Sequence, residues 1–344
     1  MAFVEDLKYD ARSMKLIEAL ESKILVLDGA MGTEIQKYGF DEDDFRGEEF
    51  ADWNCRLKGC NDVLAITQPE AIERIHTSYL DAGAMIIETD SFNSNKLSLA
   101  DYGLSEKVRD INLAAARIAR KAADSYMDAH QGELRWVAGS VGPTSKSLSM
   151  SQGVDEAGAV DWDILADAYM PQFEALIEGG VDVFQIETVF DALNAKVAVW
   201  CARRAMEKYG KRIPVILSLT LTESGRTLSG QTLDAAIATI VHAEPLAIGL
   251  NCSFGADGMM KYVEALQKYP FAVVVYPNAG LPNALGQYDE TPEKMVVKVA
   301  NMFHKGYVNI IGGCCGTTPE HIRLIADEAA KHHPRHIPAL EPRM

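Results

Sequence analysis

Three cysteines stand where thiol chemistry on a metal ion could be done. Cys314 and Cys315 are adjacent inside a glycine frame, Gly312-Gly313-Cys314-Cys315-Gly316-Thr317-Thr318-Pro319, and Cys252 follows Gly249-Leu250-Asn251. Each cluster comes directly after a short apolar run, Leu246 to Leu250 and Val308 to Ile311. Thiols at the ends of two buried strands can converge on one ion. Three protein sulfurs with an open fourth position is the ligand count of a catalytic zinc site, not of a closed structural one. Neighbouring cysteines can share an ion where the backbone turns sharply, which the flanking glycines permit. Thr317 or Thr318 is placed to cap the next helix, whose positive end favours thiolates.

Other readings of the thiols carry less. A vicinal disulfide competes poorly in a reducing compartment, and buried cysteines often serve only as small apolar residues. Cys55 and Cys60 could complete a four-cysteine site but have no compelling spacing, and Cys201 falls in a helical stretch and reads as core. Zinc held by three thiolates carries a net single negative charge. A substrate thiol entering the open position would lose its proton, leaving electron-rich sulfur suited to alkyl transfer. Carbonyl polarisation wants a more electrophilic metal.

The elements that must carry these residues repeat one pattern of apolar run, glycine-rich or polar turn, and amphipathic stretch. Eight runs occur: Ile24–Leu27, Ala84–Ile87, Trp136–Ala138, Val181–Ile186, Val215–Leu219, Leu246–Leu250, Ala272–Tyr276 and Val308–Ile311. Their length and β-branched content suit strands buried on both faces of a parallel sheet. Helical signals fall between them: Thr67-Gln68-Pro69-Glu70 opens a helix with a capping residue, Thr67, and an early proline, Thr291-Pro292-Glu293 and Thr318-Pro319-Glu320 repeat that chemistry, and Ala114 to Ala123 and Ile164 to Ile177 read as helical stretches. Eight alternating units predict an α/β fold, a single-domain (β/α)₈ TIM barrel over residues 1–332. A doubly wound sheet is the weaker alternative, since no nucleotide-type glycine fingerprint is present. Gly39 to Asn61 departs from the repeat as a long acidic first loop. Residues 333–344, with three prolines and no apolar period, read as a linker toward further domains.

In such a barrel the site is built at the carboxyl ends of the strands. Those ends carry Asp28 and Gly29, Glu88 and Ser91, Glu187, Cys252, Asn278, and Cys314 with Cys315. Asp28, Glu88 and Glu187 are candidates for holding an ammonium group, with backbone N–H groups of the rim left for a carboxylate. Asn278 could lend a carbonyl oxygen to the open metal position when no substrate is bound. His76, His242, His304 and His321 show no partner pattern and read as ordinary core or surface histidines.

Composition narrows the class. A formal net charge of −16 argues against nonspecific nucleic-acid binding, and 48% hydrophobic with 24% charged residues suits a globular protein with a sizeable core. No apolar stretch approaches a membrane span and no secretory signal opens the chain, so a cytoplasmic location is the expectation. Six cysteines in 344 residues are too few for a disulfide scaffold.

Leu27-Asp28-Gly29-Ala30-Met31-Gly32-Thr33, Glu88-Thr89-Asp90-Ser91-Phe92-Asn93 and the cysteine motifs together resemble the homocysteine S-methyltransferase family. Phe45-Arg46-Gly47-Glu48, Asn61-Asp62-Val63-Leu64 and Pro277-Asn278-Ala279-Gly280-Leu281-Pro282-Asn283 look like the branch that forms the homocysteine module of cobalamin-dependent methionine synthases. The resemblance spans roughly Ile24 to Ala330. It implies a barrel whose Cys252, Cys314 and Cys315 hold zinc, with the amino acid end of L-homocysteine near Asp28 and Glu187. It further implies methylcobalamin on a separate domain as methyl donor, and a methyltetrahydrofolate-binding barrel downstream. One departure is Ser253-Phe254-Gly255-Ala256, where relatives of this branch often carry proline immediately after the glycine. Other readings are a self-sufficient enzyme using S-methylmethionine or betaine, a homocysteine-binding docking module without turnover, and a zinc that merely pins two strands.

Overall fold

A computed structural model describes residues 4–151 and 159–338. All eight apolar runs form strands: β1 (Leu25–Val26), β2 (Ile86–Glu88), β3 (Trp136–Val141), β4 (Val183–Val189), β5 (Val215–Leu219), β6 (Ala247–Asn251), β7 (Ala272–Tyr276) and β8 (Ile310–Ile311). Each pairs in parallel with its sequence neighbour from β2 to β8, and β1 pairs with β8. The seam between β1 and β2 closes through Met85 N–H to the Val26 carbonyl at 2.7 Å and Asp28 N–H to the Ile86 carbonyl at 3.0 Å. The fold is therefore a single-domain (β/α)₈ barrel, as the periodicity predicts.

The strands are buried on both faces because helices cover the outside and side chains fill the inside. Leu25, Leu27, Ile86, Trp136, Ile216 and Ile310 belong to the interior cluster, while the larger cluster lies between the strands and the helical ring. Among the described residues no helix is long and apolar enough to cross a membrane.

Three local expectations need correction. Gly39 to Asn61 is not a plain loop: Asp41 caps a short helix, Glu42–Arg46, through its own side chain, and Arg46 donates to the Trp53 and Cys55 carbonyls. Thr67 does not cap the helix Pro69–Asp81. It ends the preceding turn, and Gln68 occupies the cap position without a side-chain bond. The proposed exit from the barrel at residue 333 also comes too early. Arg335 is 4% exposed and donates to the carbonyls of Gln267, Tyr269 and Phe271 and to Gln267 Oε1, below β7. Its own N–H reaches the Val308 carbonyl and Ile337 packs on the interior cluster, so the chain closes the amino-terminal mouth of the barrel. Residues 339–344, including Pro342, lie outside the described residues.

Candidate metal centre and substrate cavity

Each strand delivers its last residues to one rim, where a cavity of about 790 Å³ opens. Its wall includes Asp28, Gly29, Glu88, Ser91, Glu187, Cys252, Cys314 and Cys315. Of the candidates read from the sequence, only Asn278 stands behind this wall, 2% exposed.

Cys252 enters the cavity because the chain leaves β6 through two left-handed residues, Cys252 at φ 58° and Ser253 at φ 61°. Such angles are uncommon for side-chain-bearing residues and mark a site held by its surroundings. The loop then runs into the helix Ala256–Leu266 with Ala256 at its first position. Proline is common at that position because its missing N–H is not needed there, so alanine in place of the relatives' proline leaves the turn intact. Cys314 and Cys315 follow β8 and are held by Cys314 N–H to the Pro277 carbonyl at 2.8 Å and Ala279 N–H to the Cys315 carbonyl at 2.9 Å. Glycines make the turn possible. A side chain on Gly313 would meet Thr317 Oγ1 at 2.5 Å, and Gly316, at φ 80°, would meet Tyr288 Cβ at 2.2 Å.

Cys252 Sγ lies 3.9 Å from Cys315 Sγ, and Cys314 Sγ lies 4.0 Å from Cys315 Sγ. Among the described residues these three form the one group of His, Cys, Asp and Glu ligand atoms close enough to share an ion. Cys60 is buried elsewhere, Cys55 packs beside Gly103, and Cys201 is core in the helix Ala192–Tyr209. Hydrogen bonds from Cys314 and Cys315 hold the Cys252 thiol well below its ordinary range, while Cys314 is pushed up by its own bonds to Cys252 and Cys315 and by burial. The sulfurs thus share negative charge, and ionising all three together calls for a cation among them. Asn278 supplies a second sign of fit. Its amide is close enough to Cys252 to hydrogen-bond the sulfur, and its buried Oδ1 has no partner.

An acidic cluster lines the same cavity as the thiols. Asp28 accepts Glu88 N–H on Oδ2 at 3.0 Å, while its buried Oδ1 has no partner. Glu187 Oε1 accepts from Ser140 Oγ at 2.5 Å, and Glu88 Oε1 accepts from Gln185 Nε2. Burial pushes Asp28 and Glu88 well above the usual carboxyl range and Glu187 up to about 7, with mutual repulsion adding to the first two. Among the described residues none of the three has a Lys or Arg partner within ion-pair distance. Ser91 is fully buried and its hydroxyl is spent on Thr89 and the Ser140 carbonyl.

Sequence reasoning passed over several neighbours. Tyr276, the last residue of β7, is buried beside Glu187 and Glu88, which together with burial push its phenol well above the usual range. Tyr288, on the loop after β7, borders the cavity beside Cys315. His321 turns out to be structural: Nδ1 accepts Thr318 N–H at 3.2 Å and Nε2 donates to the Glu290 carbonyl at 2.9 Å, which fixes a neutral ring at the start of the helix after the cysteines. Burial lowers its pKa accordingly.

The barrel is similar to that of the Escherichia coli homocysteine methyltransferase MmuM. Its metallated form superposes with a TM-score of 0.71 at 24% identity, covering 91% of this chain and 98% of that one. The oxidised form gives 0.70 at 24% identity over 88% and 95%, and the apo form 0.63 at 23% over 90% and 97%. The family model described as homocysteine S-methyltransferase matches residues 25–329, from β1 through the last helix, Pro319–Ala329. With nearly the whole barrel matched, this chain belongs to the homocysteine S-methyltransferase family.

Proposed function

We propose that this chain activates the thiol of L-homocysteine on zinc held by Cys252, Cys314 and Cys315, for methyl transfer that yields methionine. The observation that carries the reading is three converging thiols that share one cavity with three buried carboxyl groups. When bound, zinc supplies the positive charge that lowers the pKa of an incoming thiol and holds it as a thiolate. The three cysteines would hold that ion, and the unpartnered Asn278 Oδ1 would be available to it as a neutral oxygen donor.

The carboxyl groups of Asp28, Glu88 and Glu187 take the ammonium group. Glu187 is oriented by Ser140 and Asp28 by the Glu88 backbone N–H. The substrate carboxylate faces the turn at Gly29 and the start of the helix Met31–Tyr38, where backbone N–H groups and the helix dipole favour an anion. Gly29 must stay bare, since a side chain there would meet Tyr79 Cε1 at 2.8 Å and Thr317 Oγ1 at 2.9 Å. Ser91 serves through the bonds of its hydroxyl to Thr89 and the Ser140 carbonyl, which hold the end of β2, rather than by touching substrate. Anchored at both ends, homocysteine presents its sulfur toward the mouth, and the cavity exceeds what this small amino acid fills.

The donor reading is methylcobalamin carried by a separate domain or subunit, with a methyltetrahydrofolate-binding barrel as the further partner. Its support is the resemblance of Phe45–Glu48, Asn61–Leu64 and Pro277–Asn283 to the methionine synthase branch.

Zinc-edge X-ray absorption with and without L-homocysteine tests the activation step. A change from three sulfurs and one oxygen or nitrogen to four sulfurs supports it, and an unchanged shell sinks it. Turnover of the zinc-replete chain with free methylcobalamin, but not with S-methylmethionine or betaine, supports the donor reading. The opposite pattern makes the chain a self-sufficient methyltransferase.

A further inference from the structure

The geometry assigns Asn251 as a positioning residue that ties the amino acid end of the site to its thiol end. Asn251 closes β6 and is 1% exposed. Its hydrogen bonds settle which way the amide points. The backbone N–H of Thr188 can only donate, so the atom 3.0 Å from it is Oδ1, which also accepts from Ser218 Oγ at 2.7 Å. The amide nitrogen therefore faces the other side. There it donates to Thr188 Oγ1 at 2.8 Å and directs its second N–H toward Cys314 Sγ, 4.0 Å away. One buried amide joins the ends of β4, β5 and β8.

Thr188 explains why such a clamp is needed. It sits at φ 54°, a left-handed conformation that β-branched residues rarely adopt. Asn251 grips both its N–H and its hydroxyl, holding the left-handed irregularity in β4 that immediately follows Glu187. On the other side, the amide N–H offers partial positive charge to the sulfur of Cys314, which must be anionic to bind a metal. The inference rests on the roles proposed above for Glu187 and the cysteines. It adds that one side chain keeps ammonium acceptor and thiol in register.

The test compares the wild type with N251A and N251A/T188G, as metal-free crystals and as cobalt(II)-substituted protein. N251A is expected to lose the left-handed turn at Thr188 and to bind homocysteine about tenfold more weakly, the size of one lost hydrogen bond. Glycine adopts that turn freely, so N251A/T188G should recover to within about threefold of wild type. The sulfur-to-cobalt charge-transfer band should move to longer wavelength in both variants, because both lack the N–H directed at Cys314. An unmoved band, a Thr188 turn that survives in N251A, or an affinity that glycine does not restore would each overturn the assignment. If N251A does not fold, N251D keeps the acceptor for Thr188 and Ser218 while losing the donor. It should retain the turn and still shift the band, and an unshifted band overturns the assignment there too. A wild-type protein with no cobalt–thiolate band would instead defeat the metal reading, and the N251A crystal structure would still decide the clamp.

Discussion

Cys252 Sγ and Cys315 Sγ stand 3.9 Å apart although they leave strands that do not touch, since β7 lies between β6 and β8. The left-handed pair at Cys252 and Ser253 and the glycine turn around Cys314 and Cys315 lean the two ends over β7 toward each other.

That convergence predicts that the cysteines act as a set. C252S, C314S or C315S should each lower bound zinc well below one equivalent and reduce methyl transfer by at least about a hundredfold, the scale of a lost metal contribution. Metal analysis of purified variants beside a turnover assay checks it. Full zinc content in any one of them would remove that residue from the ligand set.

Glu187 should set how tightly the ammonium group is held. E187Q is expected to weaken homocysteine binding by about ten- to a hundredfold, the cost of losing a hydrogen bond to a charged group. Its carboxyl is pushed up to about 7 by burial, and only the ionised form pairs with an ammonium. Binding of a thiol-free analogue such as L-norleucine should therefore tighten from about pH 6 to pH 8, and flatten in E187Q. Calorimetry across that range decides it, and an equal pH slope in both proteins would exclude Glu187.

The same group should leave a mark on stability. The unfolded chain ionises Glu187 near 4.5 and the folded one near 7, so between these values the unfolded state binds fewer protons. Its contribution therefore erodes as pH rises from 4.5 to 7 and is constant above that window. Asp28, Glu88 and Asp90, also raised by burial, act in the same direction. Metal-free E187Q should gain on the order of 1–3 kcal/mol relative to wild type between the acid and neutral ends. Denaturant titrations at the two ends measure it.

Gly316 tests the turn itself. At φ 80° with Tyr288 Cβ 2.2 Å from a would-be side chain, G316A must move either the loop after β7 or Cys315. A cost of about 1–3 kcal/mol in stability is expected, together with weakened zinc binding. Wild-type zinc affinity in G316A would show that the turn tolerates the shift.

At the opposite end of the barrel, R335A should remove four donated hydrogen bonds and leave three partly buried carbonyls without that donor. Stability should fall by about 3 kcal/mol while homocysteine affinity is unchanged, since the site lies on the other rim. Thermal unfolding and a binding isotherm on the same sample separate the two effects.

Much of this architecture was legible because burial on both faces leaves a strong mark: Val215–Leu219 and Ala272–Tyr276 match their strands residue for residue. The cysteines were legible because thiols framed by glycine serve few other purposes. Tyr276 and Asn251 were not, because each reads as the last residue of a strand and its role depends on which way the barrel turns its side chain. Arg335 was hidden by its prolines. Pro334 and Pro338 suggest a departing chain, and nothing local shows that the guanidinium finds four acceptors below β7. Thr67 looked like a cap by residue type, but the turn before Pro69 had already claimed it.

The position of Arg335 also bears on the order in which this protein is made. Cys252 precedes Cys314 and Cys315 in the chain, and Arg335, which with Leu16 and Leu20 near the amino terminus covers the lower mouth, comes later still. A chain that has produced only β1 to β6 therefore carries one of the three thiols without the other two. The sulfurs can meet only once β8 and the glycine turn after it have docked beside β7, so the thiol cluster is a product of barrel closure.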